Sequence, residues 1–455
     1  MISHDYRVSF LLRRCLVFRG LIGFCWLVLA TSSPAQPGSI DSTFHIGSGP
    51  DNPVVTVKSQ SDGKVLVGGV FAVFNGFERH GLARLNPTGS VDTAFVPVLT
   101  DPAEVDAILP LANGQVLIGG AFSIGAVHNL ARLNSNGTLD ATFLIGSGAD
   151  DQVLALALQA DGKILVGGNF SSFNETPRNR IARLNTNGTV DMSFYSTNGP
   201  DFGVNAVAVQ TDGKAIIGGI FSSVDGVSRN HIARLNSNGI LDPTFDPGFG
   251  TDYNVFDVIV QPDGQMLLAG AFQTVHSTPA NAVARLNPDG SPDGSFNSAI
   301  SPGESVNSIA LQLDGKVIAV GDIGLAVRLN RDGSVDSGFD LGREPDDDVR
   351  AVELQNDGDV LIGGLFASVN NVSERHLARL NGNVPLLNIV KTGPTFTVSV
   401  PTGFGKTYTL QSQNFIGATW TNVPLAMING NGTTRQLQDT NATTVQRFYR
   451  VLVTE

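Results

Sequence analysis

The sequence predicts an all-β fold: a seven-bladed β-propeller closed by the N-terminal strand, followed by a small β-sandwich domain. A unit of about fifty residues recurs seven times over residues 38–384, and such a period is typical of propeller blades. Short apolar runs alternate with glycine turns, and no segment keeps the apolar period of a helix. Each unit carries Asp-x-x-Phe, at Asp41/Phe44, Asp92/Phe95, Asp140/Phe143, Asp191/Phe194, Asp242/Phe245, Asp293/Phe296 and Asp336/Phe339.

One unit illustrates the four strands predicted for each blade. Val153–Leu158 predicts strand A and Lys163–Gly168 predicts strand B. They are joined by Asp161-Gly162, which favours a tight hairpin because both positions tolerate positive φ. Ile181–Asn185 predicts strand C, and Thr189–Phe194 predicts an outer strand D. Strands A and B are apolar on both faces, as expected of a sheet covered by a neighbouring blade on each side.

The register of the first and last units predicts how the ring closes. The last unit ends at Asn381 without a strand D, and the repeats begin at Gly38–Phe44 with a strand D that lacks a strand C. Pairing these segments gives seven complete blades and leaves no free sheet edge. Glycine pairs at the end of most B strands, such as Gly167-Gly168, predict close approach of neighbouring sheets.

The repeat resembles the bacterial delta-60 repeat family, whose members carry tandem DGK-x5-GG-x-F and ARLN-x2-G-x2-D-x2-F motifs. Residues 62–95 carry the resemblance most clearly, and it extends over most of the chain. It implies a β-propeller, often exported, and no shared catalytic site. The sixth unit departs from the pattern, because Val320–Gly324 replaces Gly-Gly-x-Phe and the loop after it. We therefore expect a shortened loop between strands B and C in that blade.

Residues 1–35 have the pattern of an export signal. Arg13-Arg14 precedes the apolar run Leu21–Ala30, and Ser33–Ala35 supplies small residues for cleavage. The apolar run is too short to span a membrane. Both cysteines, Cys15 and Cys25, lie in this segment, so the exported chain is expected to contain no disulfide.

The charge balance limits the partners. The whole chain has a formal net charge of −12, and its first 35 residues hold four arginines and one aspartate, so the remainder carries −15. This argues against nucleic acids and anionic membranes. No later segment has the roughly 18 apolar residues of a membrane span. We expect a monomer that is secreted, periplasmic or at the cell surface.

Residues 385–455 differ in composition from the repeats. They hold six β-like runs and resemble a small β-sandwich module of exported bacterial proteins, with Trp420 and Phe448–Arg450 expected in its core. A sugar-stacking role for Trp420 is the alternative. Gly405–Thr407 imitates a phosphate loop, but Val400 occupies the place of the first glycine and no helix follows. We predict no phosphate site there.

Acidic residues recur where the chain crosses from strand D to the next strand A. These crossovers should lie on the same face as the B–C loops. Their carboxylates could bind Ca²⁺ or a basic partner, or they could cap turns, which a repeated residue favours. Asp346-Asp347-Asp348 is the best calcium candidate, because three adjacent carboxylates exceed what a turn needs; no other cofactor is expected. The crossover positions are Asp51, Asp150, Asp201, Asp252 and Asp346, with Asp101 and Glu304 nearby in the other units.

The variable B–C loops predict the binding face, because loops on a rigid scaffold commonly carry function. The histidines in them belong to separate blades, so a shared metal is not expected. The arginine of each strand C, such as Arg183, is predicted to pair with the aspartate of Asp-x-x-Phe and to belong to the scaffold. Besides Asp51, Asp150, Asp201 and Asp252, the candidates on this face are His80, Arg178, Arg229, His231, Arg375 and His376.

The leading functional hypothesis is a non-enzymatic, exported binding or scaffold protein. Its loop-rich face would recognise a glycan, a peptide or another surface partner. The alternative is a polysaccharide lyase or hydrolase acting in the central funnel, which needs two carboxylates or a His/Tyr pair converging near the axis in one blade-specific arrangement. A purely structural surface component is the third hypothesis.

Overall fold

The computed structural model describes residues 36–195, 198–341, 344–382, 388–392, 395–403, 406–413, 419–431, 433–441 and 448–454. The predicted export signal, residues 1–35, and the predicted domain boundary after residue 384 lie outside these residues. None of the helical segments within them is long and apolar enough to cross a membrane.

The described part of the repeat region contains seven three-stranded antiparallel sheets, here numbered blades 1 to 7 in chain order. Blades 1 to 3 and their loops contain β1 (Val54–Ser59), β2 (Val65–Gly69), β3 (Val73–Phe74), β4 (Phe77–Glu78), β5 (Leu82–Leu85), β6 (Glu104–Pro110), β7 (Val116–Ile124), β8 (Val127–Leu133), β9 (Val153–Leu158), β10 (Ile164–Gly168), β11 (Ser172–Phe173), β12 (Thr176–Pro177) and β13 (Ile181–Leu184). Blades 4 to 7 contain β14 (Val204–Val209), β15 (Ala215–Gly219), β16 (Ser223–Val224), β17 (Val227–Ser228), β18 (Ile232–Leu235), β19 (Val255–Val260), β20 (Met266–Gly270), β21 (Thr274–Val275), β22 (Thr278–Pro279), β23 (Val283–Leu286), β24 (Val306–Leu311), β25 (Val317–Gly321), β26 (Ala326–Leu329), β27 (Val349–Leu354), β28 (Val360–Gly364), β29 (Ser368–Val369), β30 (Val372–Ser373) and β31 (Leu377–Leu380).

The order of strands in each blade is A–B–C, as the apolar runs predict. In blade 3, for example, β10 pairs with β9 on one side and with β13 on the other. In five blades the B–C loop forms a short hairpin: β3–β4, β11–β12, β16–β17, β21–β22 and β29–β30. Blade 6 replaces this hairpin with a 3₁₀ turn at Asp322–Gly324, which confirms the expected short loop.

The predicted strand D is wrong as a regular strand. Over Thr189–Phe194 the described chain makes one bridge, between Val190 and Leu184, and then turns. The reason is the side chain of Asp191, which accepts the Ser193 N–H at 2.9 Å and so bends the backbone immediately after the bridge. Each blade is therefore three strands with a short outer segment.

Neighbouring blades pack closely at the predicted glycines. A Cβ on Gly218 of blade 4 would lie 2.6 Å from Val255 Cγ1 of blade 5, so only glycine fits. A Cβ on Gly363 of blade 7 would lie 2.5 Å from Val54 Cγ1 of blade 1. The A strands also contact one another in sequence around the repeat, and β27 contacts β1. The hydrophobic core therefore lies between the sheets, including between the last blade and the first.

The N-terminal segment pairs with the last blade. Ile40 forms a bridge with Leu380, and the Asp41 N–H donates to the Arg379 carbonyl at 2.8 Å. Asp92 donates to Arg84 in the same way and at the same distance within blade 1. Residues 38–44 thus occupy in blade 7 the place that the outer segment occupies in the other blades.

A buried or half-buried arginine joins the outer parts of each blade. In blade 4, Arg234 Nε donates to Asp242 Oδ2 at 2.8 Å, and its guanidinium lies 4.9 Å from the Phe245 ring centre. Its Nη1 donates to the Pro288 carbonyl of the next blade at 2.6 Å. This confirms the predicted Arg–Asp pairing and adds a link between blades. The equivalent arginines are Arg84, Arg132, Arg183, Arg285, Arg328 and Arg379.

The aspartate of each Asp-x-x-Phe motif that pairs with this arginine can also accept a hydrogen bond from a lysine or an amide side chain at the start of strand B. Lys64, Lys163, Lys214 and Lys316 donate to it in four blades. Burial alone would raise the pKa of Asp140, but hydrogen bonds from Thr142 and Arg132 lower it to about 2. The pKa values of the other six aspartates in Asp-x-x-Phe are also lowered.

These pKa values predict acid sensitivity. Because the folded-state pKa is depressed, each carboxylate contributes stability that is present above its unfolded value, about 4, and is lost as the pH falls through the lower folded value. We expect the urea midpoint to fall steeply between about pH 4 and pH 2. Asp357 and Glu374, whose pKa values burial raises to about 6 and about 7, act in the opposite sense between pH 4 and 7. A midpoint that is unchanged down to pH 2 would contradict this account of the network.

The C-terminal residues form two three-stranded antiparallel sheets, of order β32–β33–β36 and β35–β34–β37. Their strands are β32 (Asn388–Thr392), β33 (Thr395–Pro401), β34 (Thr407–Gln413), β35 (Thr421–Asn429), β36 (Thr434–Asp439) and β37 (Phe448–Thr454), one for each predicted run. The sheets share a core around Tyr408, Val398 and Leu410. Trp420 does not lie in that core, which corrects the prediction: it is half-buried, with the guanidinium of Arg450 4.6 Å from its ring.

Candidate functional site

The crossover aspartates lie beside the B–C loops, as predicted, and hold those loops in place. Asp150 Oδ1 accepts the N–H groups of Ser171 and Ser172 at 2.8 and 2.9 Å, and Asp150 Oδ2 accepts the Ser171 hydroxyl. Asp51, Asp201, Asp252 and Asp346 make the same pair of backbone contacts in their own blades. The capping role is therefore found, but across about 21 residues rather than within the aspartate's own turn.

The three adjacent carboxylates that were predicted to bind calcium each accept hydrogen bonds from a different part of the backbone. Asp346 holds the backbone at Ala367 and Ser368, and Asp348 Oδ1 accepts the Ile323 N–H of blade 6 at 2.9 Å. Asp347 Oδ1 accepts the N–H of Asp348. Across the described parts of the chain, no group of three or more His, Cys, Asp or Glu side chains is arranged to hold a metal ion.

The predicted histidines stay in separate blades and do not converge. His231 and His376 occupy equivalent positions with φ of 65° and 64°, where blade 1 has Gly81. Burial lowers the pKa of both histidines. The residue before this position is His80 in blade 1 and Arg375 in blade 7.

Of the predicted arginines, Arg178 is not available on the binding face. It is only 6% exposed, and its guanidinium contacts the carbonyl of Pro177, Met192 Sδ and the Tyr195 ring. Arg229, the equivalent residue in blade 4, donates to the carbonyl of Ser228. Both arginines donate to the backbone of their own loop hairpins.

Besides Tyr195, which contacts Arg178, three exposed aromatic residues at the crossovers into blades 4 and 5 were not among the predicted site residues. Phe202, Phe249 and Tyr253 are 56%, 74% and 58% exposed, and we refer to them as the aromatic set. Phe202 and Tyr253 each follow a crossover aspartate, where blades 1 and 3 have Asn52 and Asp151. The sequence signal is this departure from the repeat at an otherwise polar position.

Phe249 of the aromatic set lies where the loops of blades 4 and 5 meet. Asn230, at the end of the blade 4 loop, donates to the Phe249 carbonyl at 2.8 Å, and its own carbonyl accepts the Thr251 N–H. Phe249 also stacks on His276 of the blade 5 loop, with ring centres 5.6 Å apart. His276 Nδ1 also accepts the Phe249 N–H. The residues that accept the equivalent backbone N–H in blades 1, 3 and 4 are Asn75, Asn174 and Asp225. Among these blades, the aromatic pair is therefore specific to blade 5.

Charged residues on the A strands form a second set that sequence reasoning missed. On β6, Asp106 Oδ2 accepts the Gln152 amide at 2.8 Å. Burial and then the neighbouring Glu104 raise the pKa of Asp106 to about 7, while Arg350 of blade 7 opposes that rise. Asp106 and Arg350 belong to blades that are not neighbours in the sequence.

A further charge group lies nearer the Asp-Gly turns. Lys58 Nζ of blade 1 contacts Glu353 Oε2 of blade 7 at 3.0 Å, and Glu353 raises the pKa of Lys58. Burial raises the pKa of Asp257 in blade 5, and Lys58 opposes that rise. The sequence signal is a charged residue inside an otherwise apolar strand A.

Comparison with solved structures finds other proteins to which the chain is similar. The WD40 β-propeller domain of Doa1 aligns with a TM-score of 0.49 and 15% identity, over 76% of this chain and 96% of that chain. The extracellular domain of a hybrid two-component system from B. thetaiotaomicron aligns with a TM-score of 0.49 and 13% identity, over 92% of this chain, which spans 55% of that domain. A search of the curated proteins finds no match.

The profile of a family described as a domain of unknown function (DUF5122) β-propeller matches seven stretches of the chain, and together they cover half of it. They are residues 60–95, 111–143, 159–194, 210–245, 261–296, 312–339 and 355–383. The match confirms the tandem propeller repeats, and the more specific delta-60 resemblance stays a prediction. The chain belongs to the DUF5122 β-propeller family.

Proposed function

We propose that this protein is an exported, non-enzymatic glycan-binding propeller that holds its ligand on the loop-rich face of blades 4 and 5. In this proposal residues 1–35 are the export signal and the seven blades close into a ring through residues 38–44. The two C-terminal sheets form a β-sandwich, and the protein is secreted, periplasmic or at the cell surface as a monomer.

The observation that carries the proposal is the exposure of the aromatic set. Aromatic rings of this size are usually buried, because each removes a large apolar area from water. An exposed ring offers a flat apolar face to the C–H groups of a sugar, and Phe202 and Tyr253 offer such rings in neighbouring blades. The backbone that carries them is held by Asp201, Asp252 and Asn230, so the rings stand on a rigid base.

The surroundings favour a neutral glycan. Asn230 and Asp252 place amide and carboxylate groups beside the rings, and such polar groups can bond sugar hydroxyls. The chain's formal net charge of −12 would repel a polyanionic glycan. A neutral polysaccharide long enough to span two blades fits both features.

The test is binding of the purified protein to an array of neutral and acidic glycans. We expect retention of neutral glycans, and at least about a fivefold loss of affinity in the Phe202→Ala/Tyr253→Ala variant, because two stacking contacts are worth roughly 1–3 kcal/mol in all. Phe77→Ala removes an exposed ring from the blade 1 loop and serves as the control, with unchanged affinity. Binding that is equal in all three proteins, or absent from the array, would contradict the proposal.

One observation favours a second candidate, a polysaccharide hydrolase or lyase. Asp106 and Glu104 form a pair of neighbouring carboxyl groups, and the raised pKa of Asp106, about 7, suits a general acid. The same array distinguishes the two functions. Shorter sugars released from a retained glycan would favour the enzyme, whereas intact glycans favour binding alone.

A further inference from the structure

Blade 7 lacks the strand B cation that four other blades use. Immediately after its Asp-Gly turn, where blades 1 and 3 have Lys64 and Lys163, the chain has Asp359. The outer aspartate of this blade is Asp41, so two carboxylates face one buried arginine. Arg379 Nε lies 2.7 Å from Asp41 Oδ2 and 3.8 Å from Asp359 Oδ2.

A lysine from the C-terminal module, residues 388–454, supplies the missing cation. Lys406 Nζ lies 2.5 Å from Asp359 Oδ2 and 3.5 Å from Asp41 Oδ2. It also donates to Asn381 Oδ1 at 3.1 Å. The side chain of Lys406 is 5% exposed, so this contact is buried rather than a surface ion pair.

The chain around Lys406 is built against blade 7. Gly403 packs so closely on the Asp357 carboxylate that a Cβ there would overlap it. The Gly403 N–H donates to the Tyr408 hydroxyl at 2.8 Å, and Tyr408 fills the core of the module. The core of the module and the charge centre of blade 7 are therefore joined through the segment that contains Lys406.

We propose that the C-terminal module is an intramolecular clamp on blade 7, in which Lys406 replaces the lysine that other blades carry in strand B. Blade 7 is the blade whose outer segment comes from the distant N-terminal end of the repeats, at residues 38–44. Lys406 therefore connects the C-terminal module to two other parts of the chain: the N-terminal segment, through Asp41, and blade 7, through Asp359 and Asn381. The clamp does not depend on the proposed ligand.

The charge state of the centre is consistent with this role. Burial alone would lower the pKa of Lys406, but Asp359 and Asp41 raise it above its usual value, so the lysine stays charged at neutral pH. Burial would raise the pKa of Asp41, but Arg379 and then Lys406 lower it. Removal of Lys406 would leave two buried carboxylates with one arginine, which is costly because neither charge can reach water.

The test is thermal unfolding and limited proteolysis of the full chain with Lys406→Met. We expect the melting temperature to fall by about 5 °C, and the module to be cut from the propeller at temperatures where the propeller stays folded. The Asp359→Lys/Lys406→Met variant restores the pattern of the other blades within blade 7 itself. Its melting temperature should be higher than that of Lys406→Met by at least half of the decrease that Lys406→Met causes.

Lys163→Met, which removes the equivalent cation from blade 3, is the matched control. Its lysine is 29% exposed and leaves the pair of Arg183 and Asp191 intact, so its melting temperature should fall by less than half as much. If Lys406→Met does not fold, the double variant decides: its recovery supports the clamp. A wild-type melting temperature for Lys406→Met, or a double variant no more stable than Lys406→Met, would overturn it.

Discussion

Deletion of residues 36–44 is expected to abolish cooperative folding of the propeller. The deletion removes Asp41, which leaves Arg379 buried without its closest carboxylate, and it removes Phe44, which is 3% exposed in the core between blades 1 and 7. An uncompensated buried charge costs about 3–5 kcal/mol, and loss of a buried phenylalanine costs about as much. Their sum approaches the whole stability of a typical domain.

Differential scanning calorimetry of the purified chain measures this effect. We expect the main unfolding transition to disappear or to move down by more than about 10 °C. The exposed His45 lies immediately after the deleted segment, so His45→Ala is the control and should unfold like the wild type. A deletion variant with an unchanged transition would show that the ring does not close through residues 38–44.

Arg234→Met is expected to destabilise the propeller by about 3–5 kcal/mol. The substitution leaves Asp242 buried and removes the bond from Arg234 to the Pro288 carbonyl of blade 5. It also removes the contact of the guanidinium with the Phe245 ring. Arg234 contacts its own blade and blade 5. Its loss should therefore weaken the packing within blade 4 and the contact between the two blades.

The matched control for Arg234→Met is Lys214→Met, which removes the second cation from the same carboxylate. Lys214 lies 2.9 Å from Asp242 Oδ2, but its side chain is 28% exposed, whereas that of Arg234 is 8% exposed. Surface ion pairs contribute about 1 kcal/mol or less, so Lys214→Met should have the smaller effect in urea denaturation. Equal effects of the two substitutions would contradict the central role of the arginine.

The inner strands of the blades could be predicted closely because local sequence specifies them. The apolar run Val153–Leu158 is β9 to the residue, and the Asp-Gly turns lie where expected. The outer strand D could not be predicted so well. The same pattern of apolar and polar residues is compatible with a strand, but the Ser193 N–H and hydroxyl donate to the Asp191 carboxylate and turn the chain there.

The candidate site was harder to predict from the sequence than the fold. The repeat motifs identify the residues that all blades share, not those that differ between blades. The shared crossover aspartates, such as Asp150, hold the loops. The residues that offer free surface are those that break the repeat, among them Phe202 and Tyr253. The role of Lys406 could not be predicted from the sequence for a different reason. Its local sequence imitates a phosphate loop, and its partner Asp359 lies 47 residues away.

Hydrogen–deuterium exchange of the purified protein, with and without a glycan that it retains, tests the central claim most directly. If the glycan lies on the loop-rich face of blades 4 and 5, amide exchange should slow in residues 198–203 and 249–254. The Asp-Gly turns, which join strands A and B at the other end of each blade from the B–C loops, should be unaffected. Protection confined to those turns, or spread equally over the crossovers of all seven blades, would contradict the account.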